Sequence, residues 1–268
     1  MPIFLEEIVS ATRVRVAERK RVADRKALEQ AAYEHRPRGF LRALQTRAAT
    51  GPAIIAELKK ASPSKGLLRP HLAVEDIARE YAQAGATALS ILTEPDFFQG
   101  SLENLRTAAA AVELPCLQKD FIVEEFQLVE ARAHGADAVL LLAPVLSDSA
   151  LACLNGKARA LGLDVLCEVH DESQLQRALA AGCDLIGVNN RDLRTFKVDL
   201  ETAIRLSSQI PSGVMKVAES GIHTAEDLRR LQAAGYSAFL IGESFMRAPS
   251  PGEALAELLR QATANAEF

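Results

Sequence analysis

A closed barrel of eight parallel strands with helices outside, (β/α)8, is the fold class this sequence predicts. Eight short apolar runs with strand character recur from Ala53 onward, separated by stretches of helical periodicity. A small phrase also repeats before the strands: Ala84-Gly85-Ala86, His134-Gly135-Ala136, Ala181-Gly182-Cys183 and Ala234-Gly235-Tyr236. Glycine just past a helix is the left-handed cap that turns the chain back toward the next strand. The structural alternative is a doubly wound sheet; eight units and the absence of a Gly-x-Gly-x-x-Gly after the first strand count against it. A chain of 268 residues suits one such barrel, although ~100–200 residues per domain would also allow two.

About fifty residues precede the first strand, and residues 1–50 are expected to form a helical extension of a single domain spanning 1–268. Apolar Phe4, Leu5, Ile8, Val9, Val16 and Leu28 predict one helix from Phe4 to Ala32. Its stretch from Arg13 to Lys26 mixes acids with bases, which reads as a solvated face rather than a nucleic-acid arm. Pro37-Arg38-Gly39 breaks the pattern, and Phe40 to Ala48 forms a second helix. Strands are expected at Ala53–Leu58, Ala88–Leu92, Pro115–Lys119, Ala138–Leu142, Asp164–Val169, Leu185–Asn189, Met215–Ser220 and Ala238–Gly242. Helices are expected at Val74–Ala84, Leu102–Val112, Glu124–His134, Ser149–Leu161, Glu172–Ala181, Leu200–Ser207 and Ala225–Ala234.

Composition narrows the function. With 49% hydrophobic and 25% charged residues the chain has ordinary globular content and enough apolar material for a sizeable core. A formal charge of −4 offers no basic excess for nucleic acid or an anionic membrane surface. No apolar run approaches the ~18–20 residues of a membrane span. The segment Met1 to Ser10 carries acids without a basic start, so no signal peptide is expected and the location read is cytoplasmic. Cys116, Cys153, Cys167 and Cys183 are scattered, which suggests buried or partly buried free thiols in a reducing compartment. The five histidines are dispersed as well, so neither metal nor cofactor is expected.

Chemistry gathers where the strands end. In a barrel of this kind the site lies at the C-terminal ends of the strands. Those ends carry Glu57 and Lys59 on strand 1, Lys119 and Asp120 on strand 3, and Glu168 on strand 5. Asn189 and Arg191 end strand 6, Glu219 and Ser220 end strand 7, and Gly242 and Glu243 end strand 8. Glu57 and Lys59 are one residue apart, so a strand points both to the same face. Strands 1, 3, 5 and 7 share inward layers, which brings two lysines and up to three glutamates to one level of the axis. A single charge at a strand end is ordinarily solvated or paired. A purely structural ion cluster inside a barrel would be costly, so convergence of this kind points to catalysis.

The second half of the expected site is a phosphate cradle. Glu219-Ser220-Gly221-Ile222 leaves strand 7 and Ile241-Gly242-Glu243-Ser244 leaves strand 8. Barrels commonly bind phosphate with these two turns and a short helix N-terminus. Gly221 and Gly242 let backbone N–H groups approach an anion, and Ser62 can add a hydroxyl. Either turn taken alone reads equally well as an ordinary turn.

Taken together, these segments resemble the indole-3-glycerol phosphate synthase family. The resemblance runs nearly the full length. It rests on Ile55-Ala56-Glu57-Leu58-Lys59-Lys60-Ala61-Ser62-Pro63-Ser64, Phe97-Phe98-Gln99-Gly100-Ser101, Leu117-Gln118-Lys119-Asp120-Phe121, Glu168-Val169-His170, Asn189-Asn190-Arg191-Asp192-Leu193, Glu219-Ser220-Gly221-Ile222 and Ile241-Gly242-Glu243-Ser244-Phe245-Met246. It implies ring closure of 1-(2-carboxyphenylamino)-1-deoxyribulose 5-phosphate to indole-3-glycerol phosphate, with loss of CO2 and water, and N-terminal helices that cover the substrate side. By the same resemblance Lys119 is the acid for ring closure, and Lys59 holds the substrate carboxylate or serves as an acid in the dehydration. Glu168 is the base or charge stabiliser, and Glu57 orients the lysines and assists proton transfer; which lysine performs which protonation stays open. Opposed neighbours are expected to leave Lys119 charged yet acidic enough to give up a proton near neutral pH. Asn189 and Arg191 are expected at the substrate's polar chain, although hydrogen bonds within their loop would explain them too. Phe98, Phe121 and Leu142 are read as an apolar wall for the aromatic ring or as ordinary packing. Lys60 and Lys65 read as solvent-facing loop charges.

Three rival functions follow from the same residues. A phosphoribosylanthranilate isomerase would use a Cys/Asp or paired-Asp arrangement in place of two lysines and a glutamate. An aldolase would form a Schiff base on Lys119, and a binding barrel would bind phosphate without turnover. The partner expected is a small phosphorylated substrate, with a monomer preferred over a homo-oligomer.

Overall fold

A computed structural model describes residues 5–263. Phe4, which periodicity puts in the first helix, lies outside the described residues, as do Met1 to Ile3. The barrel strands are β1 (Ala53–Leu58), β2 (Ala88–Leu92), β3 (Cys116–Lys119), β4 (Ala138–Leu142), β5 (Asp164–Val169), β6 (Leu185–Asn189), β7 (Met215–Glu219) and β8 (Ala238–Ile241). Each pairs parallel with its chain neighbours, and β1 closes the ring by pairing with β8 from Ala53↔Ala238 to Ala56↔Ile241. The ends depart from the sequence pattern by single residues. Pro115 stays outside β3 because it has no N–H for the ladder. Ser220 leaves β7 because its φ of 65° is left-handed, and Gly242 becomes a helix N-cap.

Helices α1 (Leu5–Val22), α2 (Arg25–Glu34) and α3 (Phe40–Ala48) precede the barrel. Outside it lie α4 (Val74–Gln83), α5 (Pro95–Phe98), α6 (Leu102–Ala111), α7 (Glu125–Ala133), α8 (Asp148–Ala160), α9 (Glu172–Ala180), α10 (Glu201–Ser207), α11 (Ala225–Ala233), α12 (Glu243–Arg247) and α13 (Pro251–Thr263). Three of these, α5, α12 and α13, fall where the sequence pattern names no helix. The repeated glycine phrase does what its position implies. Gly85, Gly135, Gly182 and Gly235 all have φ between 77° and 93°. The following N–H returns to the last turn each time, as in Ala86 N–H to Tyr81 O at 2.9 Å and Tyr236 N–H to Leu231 O at 3.1 Å.

Alternation along the strands sorts the apolar side chains into two cores. Ile54, Ala56 and Leu58 face outward with Leu89, Ile91, Val139 and Leu141 and pack beneath the helices. Ile55, Leu117, Leu140, Leu166, Val217 and Leu240 face inward and fill the barrel. Both sets are excluded from water, so the barrel is a packed body and not a pore.

The single long helix expected before the barrel is two helices. Asp24 interrupts it by accepting from Lys26 N–H and Ala27 N–H, both at 3.1 Å, which makes it the N-cap of α2. The charge-rich stretch is also less solvated than its composition suggests. Arg15 reaches Glu94, Arg19 grips Glu130 through two bonds of 2.9 Å, and Lys20 meets Glu124. Only part of the extension lies at the C-terminal mouth: Leu5 and Ile8 of α1 face the pocket there. Phe40 and Leu44 of α3 instead join the inner core with Ala53, Ala138, Leu185 and Ala238, which begin their strands, so α3 plugs the opposite end. Of the cysteines, Cys116, Cys167 and Cys183 are buried, but Cys153 is exposed on α8. Among the described residues no helix is long and apolar enough to cross a membrane.

Asp137, fully buried before β4, ties α3 to the barrel floor. Its carboxylate accepts from Arg38 N–H and Cys116 N–H, both at 2.7 Å, with His35 Nε2 at 3.2 Å. Replacing it leaves two buried backbone donors without an acceptor and removes the carboxylate that faces the Arg38 guanidinium at 3.9 Å. Asp137→Ala should therefore cost about 3–5 kcal/mol of stability, read as a lower urea midpoint. Asp164→Ala, which removes only the half-buried acceptor of Leu41 N–H, should cost less.

Candidate active site

The strand ends meet in an open-mouthed cavity at the C-terminal face. It is lined by Glu57, Lys59, Lys119, Glu168, Asn189, Arg191 and Glu219, by Ser62, Phe98, Phe121 and Leu142, and by Ser220, Gly221, Gly242 and Glu243. Every residue singled out by position along the strands thus reaches one cavity. Lys60 and Lys65 are not among its walls.

Two ion pairs form its floor. Lys59 Nζ lies 2.5 Å from Glu57 Oε1, and Lys119 Nζ lies 2.8 Å from Glu168 Oε2 and 3.4 Å from Glu219 Oε2. The three glutamates are 1–4% exposed, so their charges are compensated by neighbours and not by water. Ser90 Oγ donates to Glu57 Oε2 at 3.4 Å, and Asn189 Nδ2 donates to Glu168 Oε1 at 2.9 Å. His170, quoted only as part of a motif, also reaches Glu168 Oε1 through Nε2 at 3.1 Å. The signal for it was local: two residues past a strand-end acid, the chain still points to the same side.

Electrostatics divide the acids. Burial disfavours the Lys119 ammonium, but Glu168, Glu219 and Glu57 outweigh it and hold its pKa above the ordinary lysine range. The free site therefore does not contain the near-neutral lysine acid that the sequence suggested. Burial also disfavours the Glu168 carboxylate, yet Lys119, His170 and Asn189 pull its pKa well below the usual range. Glu219 goes the other way. Burial, with Glu168 and Glu57 opposing the Lys119 attraction, pushes it up to about 8, so it holds a proton at neutral pH. Two ammonium groups then face two carboxylates and one neutral acid.

The rim supplies the rest. Phe98 and Phe121 stand with ring centroids 6.2 Å apart at 41° and form one apolar wall with Leu142. Phe98 is placed by Glu94, whose buried carboxylate caps α5 by accepting from Asp96, Phe97 and Phe98 N–H. Opposite, Ser220 and Gly221 carry consecutive left-handed φ values of 65° and 78°, and Gly242 opens α12 without a side-chain cap. These turns present backbone to the cavity, the arrangement an anion needs. Glu243 differs from what its place in that cradle implied. Its carboxylate is committed to Arg191 at 2.9 Å and to Lys65 and Arg247 at 3.4 Å each. What Glu243 can offer an anion is its N–H, while Lys65 is a pairing partner rather than a free loop charge. Arg191 N–H donates to Asn189 Oδ1 at 3.0 Å, which couples the two residues after β6. Leu5, Ile8, Leu193, Phe196 and Ile222 line the cavity too; of these, periodicity marks only Leu5 and Ile8, as apolar positions of the first helix. Among the described residues no cluster of three or more His, Cys, Asp or Glu side chains could hold a metal ion.

Known proteins match the chain in sequence and in fold. The family model described as indole-3-glycerol phosphate synthase matches residues 5–258. The indole-3-glycerol phosphate synthase of Koribacter versatilis is 55% identical over 259 residues, covering 97% of this chain and 100% of the relative. That of Burkholderia vietnamiensis is 47% identical over 259 residues, covering 96% and 99%. Among solved structures, 3-hexulose-6-phosphate synthase superposes with a TM-score of 0.64 at 16% identity, over 78% of this chain and 99% of its own. Thiamine phosphate pyrophosphorylase from Pyrococcus furiosus gives 0.60 at 18% identity, over 79% and 96%, and both likenesses concern the fold alone. Matched along 5–258 and nearly half identical or more to relatives of its own length, the chain belongs to the indole-3-glycerol phosphate synthase family.

Proposed function

We propose that the strand-end cluster closes the indole ring of 1-(2-carboxyphenylamino)-1-deoxyribulose 5-phosphate, releasing CO2 and water. The observation that carries the assignment of roles is the pairing of Lys119 with Glu168 and of Lys59 with Glu57 inside one cavity. One side of that cavity is aromatic and the other is built of open turns. The substrate has the same division, with an aryl carboxylate at one end and a phosphate at the other.

The ring carbon bearing the carboxylate attacks the ketone carbon, and the new alkoxide needs a proton. Lys119 supplies it. A firmly held ammonium stabilises that oxygen as charge develops and yields its proton to a strongly basic alkoxide. Glu219, protonated at neutral pH and 3.4 Å from Lys119 Nζ, can return a proton to the lysine. Lys59 holds the substrate carboxylate against the ring carbon under attack, and Glu57 aims Lys59. Glu168 stabilises the cationic intermediate left by attack. In the dehydration a lysine ammonium, Lys59 or Lys119, protonates the departing hydroxyl while Glu168 takes the proton that the substrate loses. Asn189 and Arg191 engage the polar chain, and Phe98, Phe121 and Leu142 stack on the ring. Ser62 with the backbone of Ser220, Gly221, Gly242 and Glu243 holds the phosphate. A Schiff-base role for Lys119 fits poorly, because that chemistry needs a neutral amine. The barrel and its extension act here as one domain, with all the groups invoked lying around one cavity. The four free thiols support a reducing, cytoplasmic setting.

Growth of indole fluorescence on mixing protein with the carboxyphenylamino-deoxyribulose phosphate tests the reaction. Lys119→Ala should lower kcat about 10²–10⁴-fold. A variant retaining most of the activity would remove Lys119 from the acid's role.

Glu219 gives a second outcome, in stability. An unfolded glutamate titrates near ~4.3, and the folded Glu219 at about 8. Between those values the folded chain keeps a proton that the unfolded chain has lost. Its contribution is complete below the lower value and fades as pH rises through the higher one. Glu219→Gln cannot lose that proton, so its Tm should decline less than the wild type's across this window in thermal melts. Equal slopes would mean that Glu219 is already ionised in the folded protein.

A further inference from the structure

Glu168 receives more hydrogen bonds than its chemistry alone asks for. A carboxylate has two oxygens and about four lone-pair directions. Lys119 from β3 takes Oε2 at 2.8 Å, while Asn189 from β6 and His170 both donate to Oε1, at 2.9 and 3.1 Å. The two donors on Oε1 fill it. Oε2, with Lys119 as its one side-chain donor among the described residues, keeps a free direction.

His170 is arranged for this one contact. To bond a carboxylate, its Nε2 must carry the hydrogen. Its Nδ1 is buried and has no hydrogen-bond partner among the described residues, so the ring makes a single hydrogen bond. The backbone beneath it is fixed by the start of α9. His170 N–H donates to Gln174 Oε1 at 2.9 Å, and the Gln174 side chain donates to Asp171 Oδ2 at 2.8 Å, closing the cap. The ring is 14% exposed and is not part of the cavity lining, so it does not touch substrate. The charged groups around the Glu168–His170 contact are Lys119 on β3, Glu219 on β7, Glu57 on β1 and Asp171 at the start of α9. Only Lys119 competes for the Glu168 oxygens.

We propose that His170 is a positioning residue: with Asn189 it saturates Oε1 of Glu168 and turns Oε2, beside Lys119, toward the substrate. The inference rests on the role of Glu168 under the proposed function. It adds which oxygen acts and what holds it there. Without His170 the carboxylate can swivel, and the oxygen facing substrate is no longer fixed.

Kinetics separate this from a structural role. H170A should lower kcat about tenfold or more with KM within about twofold, the pattern of a group that acts on the chemical step. The acid limb of its kcat profile should move to higher pH, because the Glu168 carboxylate loses a donor. H170Q places an amide N–H near the same spot without titrating and should recover most of kcat. A folded H170A with wild-type kcat and an unmoved acid limb would overturn the proposal, as would an H170Q no better than H170A with an equal melting temperature. The nitrogen spectrum of the unliganded wild type reads the contact without turnover. Nε2 should carry the hydrogen at neutral and alkaline pH, and an Nδ1-protonated ring sinks the idea. If the wild type fails to convert the substrate, the proposed function falls, and the nitrogen spectrum still decides the His170 contact.

Discussion

Five ionisable side chains crowd together at the mouth of this barrel, and their mutual neutralisation is the condition on which the site depends. Stripping water from a lone charge costs several kcal/mol even after the surroundings relax. Lys59 therefore survives there because Glu57 is 2.5 Å away, and Lys119 because Glu168 is 2.8 Å away. Glu219 is the odd carboxyl. Its ionisation would leave three negative charges against two positive ones, so it keeps a proton up to about pH 8. The same proton that balances the cluster is one that an acid–base reaction can use. Neutrality and reactivity have a single source here, the crowding of acids around Lys119.

Space for those acids comes from glycines on, or just past, the neighbouring strands. A Cβ on Gly187 of β6 would collide with Glu219 Oε1, and one on Gly242 would stand 2.5 Å from Glu57 Oε1. Neither position has a left-handed φ, so the need is for volume and not for an unusual backbone. Gly242 thus has two uses. It opens the last turn toward the cavity, as expected of an anion cradle, and it makes the hollow in which Glu57 turns toward Lys59. Gly221 is different. Its φ of 78° and its close approach to Val198 both demand glycine, which fixes the shape of the turn after β7.

Much of this was legible in the chain, for reasons that are local. Strand alternation, helix periodicity and the glycine caps depend on neighbours within a few residues, so the eight βα units could be read directly. The strand-end residues could be read because the fold fixes where strands end. What escaped depends on groups far apart in sequence. Asp24 breaks the first helix by its side chain, which composition does not distinguish from another surface acid. Arg15, Arg19 and Lys20 look solvated until Glu94, Glu130 and Glu124, 79 to 111 residues away, are folded beside them. The ionisation of Lys119 and Glu219 is likewise a sum over β1, β3, β5 and β7, and counting charges along the chain cannot give its sign.

The extension shows the consequence of such distant pairing for the site. Its two ends bracket the barrel: α3 closes the floor through Phe40, Leu44 and the Asp137 carboxylate, and α1 lies along the mouth. At the mouth, Arg15 Nη2 meets Glu94 Oε1 at 2.6 Å. That carboxylate is also the one that gathers the amides of Asp96, Phe97 and Phe98. Glu94 is buried completely, so its charge needs a partner, and Arg15 is the cation that reaches it. The helix outside the barrel therefore stabilises the turn that sets Phe98 against Phe121. The ring wall of the cavity and the docking of α1 are two results of one buried carboxylate. A chain that kept all eight βα units but lost α1 would leave Glu94 without Arg15, and the disturbance would fall on the aromatic half of the cavity first.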